Sequence, residues 1–87
     1  MSTPDETLSL YQTPYCPYCV IVRRVIDELG LDVELRDVAR EPKYRQELYA
    51  VRGRGTVPVL RREDADGSVH WLPESRDIIH YLRDRYG

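Results

Sequence analysis

The sequence predicts an α/β domain: a mixed four-stranded sheet flanked by three helices, in the order β-α-β-α-β-β-α. Three observations carry that prediction. A short alternating run, Leu8 to Gln12, passes at once into an amphipathic stretch from Pro17 to Leu29 and then into a second strand-like run. A strand–helix–strand opening demands a parallel pair joined by a right-handed crossover. Later, Asp64-Ala65-Asp66-Gly67 separates two more strand-like runs and supplies hairpin-turn residues, which demands an antiparallel pair. One mixed sheet satisfies both.

The first strand covers Leu8 to Gln12, and Thr13-Pro14-Tyr15 turns the chain. Pro17 suits a first helical turn, where its missing N–H would be unpaired anyway. Val22, Val25, Ile26 and Leu29 share one face of that helix, with Ile21 beside them. Arg23, Arg24, Asp27 and Glu28 take the outer face, and Gly30 is the expected C-cap. Val33, Leu35 and Asp37-Val38 give the second strand. Glu41-Pro42 opens a second helix, Pro42 to Val51, on the weaker pattern of Tyr44, Leu48 and Val51, and Gly53 and Gly55 break it. The third strand is expected from Val57 to Arg62, with Pro58 tolerated at its start. The fourth runs from Ser68 to Leu72. Pro73-Glu74-Ser75 opens the last helix, whose inner face is Ile78, Ile79, Leu82 and Tyr86, with Ser75 a suitable N-cap. There is no Phe, so Trp71 and the tyrosines Tyr11, Tyr44, Tyr49, Tyr81 and Tyr86 are assigned to packing.

The 87 residues fit one domain, 8–87, behind a polar flexible tail, 1–7. A net charge of −2 argues against nucleic acid or an anionic membrane as partner. No apolar run approaches the roughly 20 residues of a membrane span. Met1 to Thr7 has neither the basic start nor the apolar centre of a secretory signal. With two closely spaced cysteines, a reducing cytoplasm is expected.

Those cysteines form Cys16-Pro17-Tyr18-Cys19, at the junction of the first strand and first helix. The thiolate is the nucleophilic form of cysteine. At a helix start, the free N–H groups of Tyr18 and Cys19 and the positive end of the dipole favour an anion on Cys16. A lowered Cys16 pKa follows, while Cys19, one turn in and buried, stays a thiol. Three residues apart, the two sulfurs can bond with little backbone movement. A zinc site needs about four ligands, and only His70 and His80, on separate elements, are left to help, so no metal is expected. A structural disulfide would close too small a loop to gain much. Two inert core cysteines are the bland alternative. Gly55-Thr56-Val57-Pro58 is a second candidate site, where the bland reading is a trans proline on an edge strand.

Together, Cys16-Pro17-Tyr18-Cys19 and Thr56-Val57-Pro58 resemble the dithiol glutaredoxins of the thioredoxin-like superfamily, from Leu8 to the last helix. The resemblance implies a thioredoxin-like fold with sheet order 2-1-3-4 and a cis Val57-Pro58 bond. It implies a glutathione-dependent thiol–disulfide oxidoreductase that reduces protein disulfides and glutathione mixed disulfides through Cys16 and Cys19. Glutathione, or a related small thiol, would be co-substrate, with no bound cofactor and a monomeric protein. Glutathione carries two carboxylates, so its site should offer cations and free N–H groups. By similarity, Tyr18 flanks the cysteinyl sulfur. Val57, within Thr56-Val57-Pro58, pairs with the glutathione backbone by strand addition in miniature. Arg54 takes the glycyl carboxylate, and Glu74, Ser75 and the N–H of Arg76 take the γ-glutamyl end.

Two departures narrow the resemblance. Thr13 stands where glutaredoxins usually carry a lysine, which implies a weaker glutathione site or a less depressed Cys16 pKa. The usual Gly-Gly before the last helix is also replaced, by Leu72-Pro73-Glu74-Ser75. That Glu-Ser, followed by a helix carrying Tyr81-Leu82, is similar to the N-terminal domain of glutathione transferases, whose Glu-Ser pair binds the γ-glutamyl group. These residues hold no all-helical second domain, so conjugation chemistry is not expected. Alternatives are a glutathione-dependent iron–sulfur module, which Pro17 disfavours, and a transferase-like binding domain without redox turnover. Electron supply from a thioredoxin-type reductase is a further possibility.

Overall fold

A computed structural model describes residues 6–87. Its elements are β1 (Glu6–Gln12), α1 (Pro17–Leu29), β2 (Val33–Asp37), α2 (Pro42–Arg52), β3 (Val59–Asp64), β4 (Val69–Pro73) and α3 (Ser75–Tyr86). The four strands form one sheet in the order β2-β1-β3-β4. β1 runs parallel to β2, with Leu8 opposite Val33 and Leu10 opposite Leu35. It runs antiparallel to β3, with Leu10 opposite Leu60 and Tyr11 opposite Val59. This is the thioredoxin-like topology implied by the two motifs.

Strand alternation divides the core in two. Leu8, Leu10 and Leu60 meet Val22, Val25 and Ile26 of α1 and Ile78 and Leu82 of α3 on one face. On the other, Tyr11 and Val59 meet Val38 and Leu48, with Tyr44, Val57 and Trp71 at the margin. Leu48 is the buried residue of α2. Its burial stabilises the contact by about 1.5–3 kcal/mol. A polar tie supplements it: the Tyr11 hydroxyl donates to Glu47 at 2.5 Å and accepts from Arg36 at 2.6 Å. The Tyr11 ring also sits edge-on to Tyr44, 6.1 Å between centroids.

Helix ends follow local chemistry. Gly30 and Gly53 adopt left-handed backbone, φ 64° and 71°, where a side chain would be strained. The β3–β4 turn closes through the Gly67 N–H to the Asp64 carbonyl, 2.9 Å, and the Ser68 N–H to Asp66 Oδ1, 2.9 Å.

Several expectations shift. β1 begins at Glu6, so Glu6 and Thr7 belong to the sheet and not to a tail; residues 1–5 of the expected tail lie outside the described residues. Glu6 is held there by charge. Its side chain is 1% exposed and accepts from Arg62 at 2.9 Å and from the Tyr81 hydroxyl at 2.7 Å, with the Tyr86 hydroxyl and Arg85 beside them. Tyr81 and Tyr86 therefore pair with a carboxylate as well as pack. β3 starts at Val59, not Val57, because Tyr11 opposite Val59 ends its pairing with β1. β4 is displaced one residue, to Val69–Pro73. Tyr49 is 55% exposed, its ring lying over Gly55. Ser75 is the first residue of α3, and the N-cap is Glu74.

Candidate functional site

β1 ends at Gln12 and the chain turns through Pro14 and Tyr15 into the start of α1. Cys16 is the N-cap, in extended backbone, and Pro17 is the first helical residue. The Cys16 carbonyl accepts from the Val20 N–H at 3.0 Å, fixing the first turn beneath its side chain. As a neutral thiol the Cys16 side chain closes no cap hydrogen bond; the N–H groups of this turn bear on its anion. Both cysteines are free; Cys16 is partly exposed and Cys19 fully buried.

The environments separate the two thiols. Burial pushes the Cys16 thiol up, but the Cys19 N–H, the Cys19 thiol, the Tyr18 N–H and the Arg23 charge outweigh it. Cys16 is held below the ordinary thiol range. Burial dominates at Cys19 and pushes it up to about 11. A backbone hydrogen bond from Thr13 opposes that rise and the adjacent Cys16 sulfur adds to it. One thiol is thus poised to ionise and its neighbour to keep its proton.

Beside this pair lies a cleft of about 280 Å³, lined by Tyr18, Arg52, Arg54, Thr56, Val57, Pro58, Val59, Pro73, Glu74 and Ser75. Every residue expected to hold the small thiol reaches it except Arg76. The helix turns about 100° per residue, so Ser75 at the first position faces the cleft and the exposed Arg76 does not. The Arg76 side chain lies with Ile79, His80 and Arg83 on a separate surface. Its backbone N–H is still one of the first-turn donors, because the Ile78 N–H is the one bonded to the Glu74 carbonyl. Val57-Pro58 is cis. Glu74 has φ 74°, the non-glycine residue with left-handed φ among those described. Such backbone costs about 1–3 kcal/mol and concentrates at functional sites.

Three contributions were not legible. Arg52, the last residue of α2, adds a second cation to the cleft, and its Nε is buried without a partner. The Arg-Gly-Arg spacing, with Gly53 reversing the chain, was the available signal. Pro73 enters because β4 extends to it. Arg23, assigned to the outer face, folds back instead: it donates to Gln12 Oε1 and to the Thr13 carbonyl, the latter at 3.2 Å. His70 and His80 are exposed, and among the described residues no three His, Cys, Asp or Glu side chains gather as metal ligands.

Fold and cleft together define a thioredoxin-like domain. The profile of the glutathione S-transferase N-terminal domain matches residues 10–87, and the chain belongs to that family. It is also similar to a glutaredoxin of Pseudomonas aeruginosa, 31% identical over 51 residues, 59% of this chain and 61% of that one. Among solved structures, it resembles the maleylacetoacetate isomerase of Anaeromyxobacter dehalogenans 2CP-1, which has GSH bound in its active site. The TM-score is 0.73 at 29% identity, over 97% of this chain and 39% of the isomerase. A thioredoxin-like protein matches end to end, TM-score 0.70 at 23% identity over 93% of this chain and 100% of its own, and shares the fold. The chain thus spans less than two thirds of the glutaredoxin and under half of the isomerase.

Proposed function

We propose that this domain is a glutathione-dependent thiol–disulfide oxidoreductase of the dithiol glutaredoxin type, acting as a monomer in the cytoplasm. The observation that carries the reading is the division of labour between Cys16 and Cys19. A thiolate-prone sulfur stands at the helix start beside the cleft, with a buried thiol one turn behind it.

The Cys16 thiolate attacks the glutathione sulfur of a mixed disulfide. The partner leaves as its thiolate, takes a proton from water, and glutathione stays on Cys16. A second glutathione thiolate attacks that glutathione sulfur, releasing glutathione disulfide and restoring the Cys16 thiolate. With a protein disulfide, Cys16 forms the mixed disulfide. Cys19 then loses its proton and attacks the Cys16 sulfur, and the reduced protein departs with both electrons. The high Cys19 pKa keeps this second thiol out of the first step. In the cleft, Arg54 and Arg52 take the glycyl carboxylate, the Val57 backbone pairs with the peptide, and Glu74, Ser75 and the first N–H groups of α3 receive the γ-glutamyl end.

The test is turnover with glutathione, glutathione reductase and a mixed-disulfide substrate. Cys16→Ser should abolish it. Cys19→Ser should keep mixed-disulfide reduction and lose dithiol reduction. Equal turnover in wild type and Cys16→Ser would sink the proposal. The family match and the Glu74-Ser75 corner favour a second reading, a glutathione-binding domain without redox turnover. Tight glutathione binding with a Cys16 that titrates like a free thiol would favour it.

A further inference from the structure

The guanidinium of Arg23, which sequence spacing puts on the outer face of α1, folds back onto the loop before it. Arg23 lies one helical turn beyond Cys19, on the same stripe of α1. It is half-buried, and Nη1 reaches two acceptors: Oε1 of Gln12, a residue 5% exposed, and the Thr13 carbonyl at 3.2 Å. Gln12 and Thr13 form the exit from β1 that leads into Cys16. The Thr13 backbone also bears on the Cys19 thiol, favouring its anion. Arg23 therefore grips the turn whose backbone touches Cys19.

We propose that Arg23 is a positioning residue for the dithiol. Moored by Gln12 and the Thr13 carbonyl, it fixes a positive charge beside the two sulfurs and holds the Thr13 turn against Cys19. The inference rests on the reading of Cys16 as the nucleophile. A fixed cation stabilises the thiolate over the thiol, and the proton leaves to water. No electrons move in this step.

Two features favour arginine here. Nη1 donates to both acceptors, and the guanidinium keeps its charge where it is half-buried, which an ammonium does less well. The buried Gln12 amide oxygen needs a donor, and Arg23 supplies it. The charge acts at both cysteines, in the direction of the thiolate. The other groups bearing on Cys16 are the Cys19 thiol and the N–H groups of Tyr18 and Cys19. Arg52, Arg54 and Glu74 line the cleft beyond Tyr18. The charge is thus carried on the helix, and the loop residue Thr13 supplies its backbone.

The test is the rate of Cys16 alkylation by iodoacetamide against pH, in wild type, R23Q, R23K and Q12A, with circular dichroism as the folding control. R23Q should slow alkylation near pH 7 by about three- to tenfold, the scale of a nearby unit charge screened largely by water. Its rate profile should move to higher pH. R23K should recover part of the loss. Q12A, which leaves the charge unmoored, should slow the reaction by about twofold. An R23Q profile that superposes on wild type overturns the inference, as does an R23K no faster than R23Q. If R23Q does not fold, an unchanged Q12A rate overturns it. Alkylation needs no glutathione, so the two proposals fail separately. A reactive, Arg23-dependent Cys16 without glutathione turnover sinks the function alone. Turnover indifferent to Arg23 sinks this inference alone.

Discussion

Replacing Glu6 by glutamine tests how the sheet is tied to its last helix. The Glu6 side chain is 1% exposed and paired with Arg62 at 2.9 Å, with Tyr81, Tyr86 and Arg85 around it. Glutamine keeps the shape and removes the charge, leaving Arg62 with the more distant Asp64, at 4.0 Å, as its carboxylate. Breaking a fully buried pair costs about 3–5 kcal/mol. The Arg62 side chain is 21% exposed, so water recovers part of that. A loss of about 2–3 kcal/mol is expected from urea unfolding. For a domain this small it corresponds to a fall in Tm of about 10–20 °C. The pH dependence supplies the sign. Burial pushes the Glu6 carboxyl up, but hydrogen bonds from Tyr86, Tyr81 and Arg62, and the Arg62 charge, hold it below its ordinary 4.5. A depressed folded pKa gives stability that is present above the unfolded value and lost as pH falls through the folded one. Wild type should therefore lose stability below about pH 4.5, and Glu6→Gln should lose less over that range. A loss at neutral pH under about 0.5 kcal/mol, the scale of an exposed pair, would refute the reasoning.

Arg54→Ala and Arg52→Ala should each raise the KM for glutathione by about ten- to a hundredfold, the worth of one charge-assisted hydrogen bond, and leave kcat largely intact; steady-state kinetics decide. Glu74→Gly should relieve the left-handed backbone and raise stability by up to about 1 kcal/mol while weakening glutathione binding, a split readable by unfolding and calorimetry together. Cys19 has a folded pKa raised to about 11 from an ordinary 9.0. Its contribution is full below 9 and lost as pH rises toward 11, so Cys19→Ala should show a shallower alkaline decline in Tm.

What the sequence revealed tracks how local each cause is. α1 was readable to the residue because Pro17 and Gly30 bound it and its apolar spacing is regular. The cleft was readable because its residues come in short runs, Tyr18 beside the cysteines, Thr56-Val57-Pro58 and Glu74-Ser75. Contributions set by tertiary placement were not. Glu6 looks like tail until Leu8 is set opposite Arg62, which puts Arg62 diagonally within its reach. Arg23 and Arg52 have long side chains that could have pointed into water; buried acceptors and the end of α2 decided otherwise. Nothing in the identity of Glu74 signals φ 74°. Ser75 was the better N-cap by composition, and the chain places it one position later.

The carboxylate that ties Glu6 to Tyr86 also settles where the two ends of the domain emerge. β1 runs from Glu6 toward the dithiol, and α3 runs from the cleft back to Tyr86. Both ends therefore lie at one pole, about a strand's length of 20 Å from the dithiol. An affinity tag, a fluorescent reporter or a fused client protein attached at Gly87 would leave the cleft mouth open. A short linker from Gly87 to Glu6, with the chain opened at Ala65-Asp66, defines a circular permutant that keeps the dithiol, Thr56-Val57-Pro58 and Glu74-Ser75 in place.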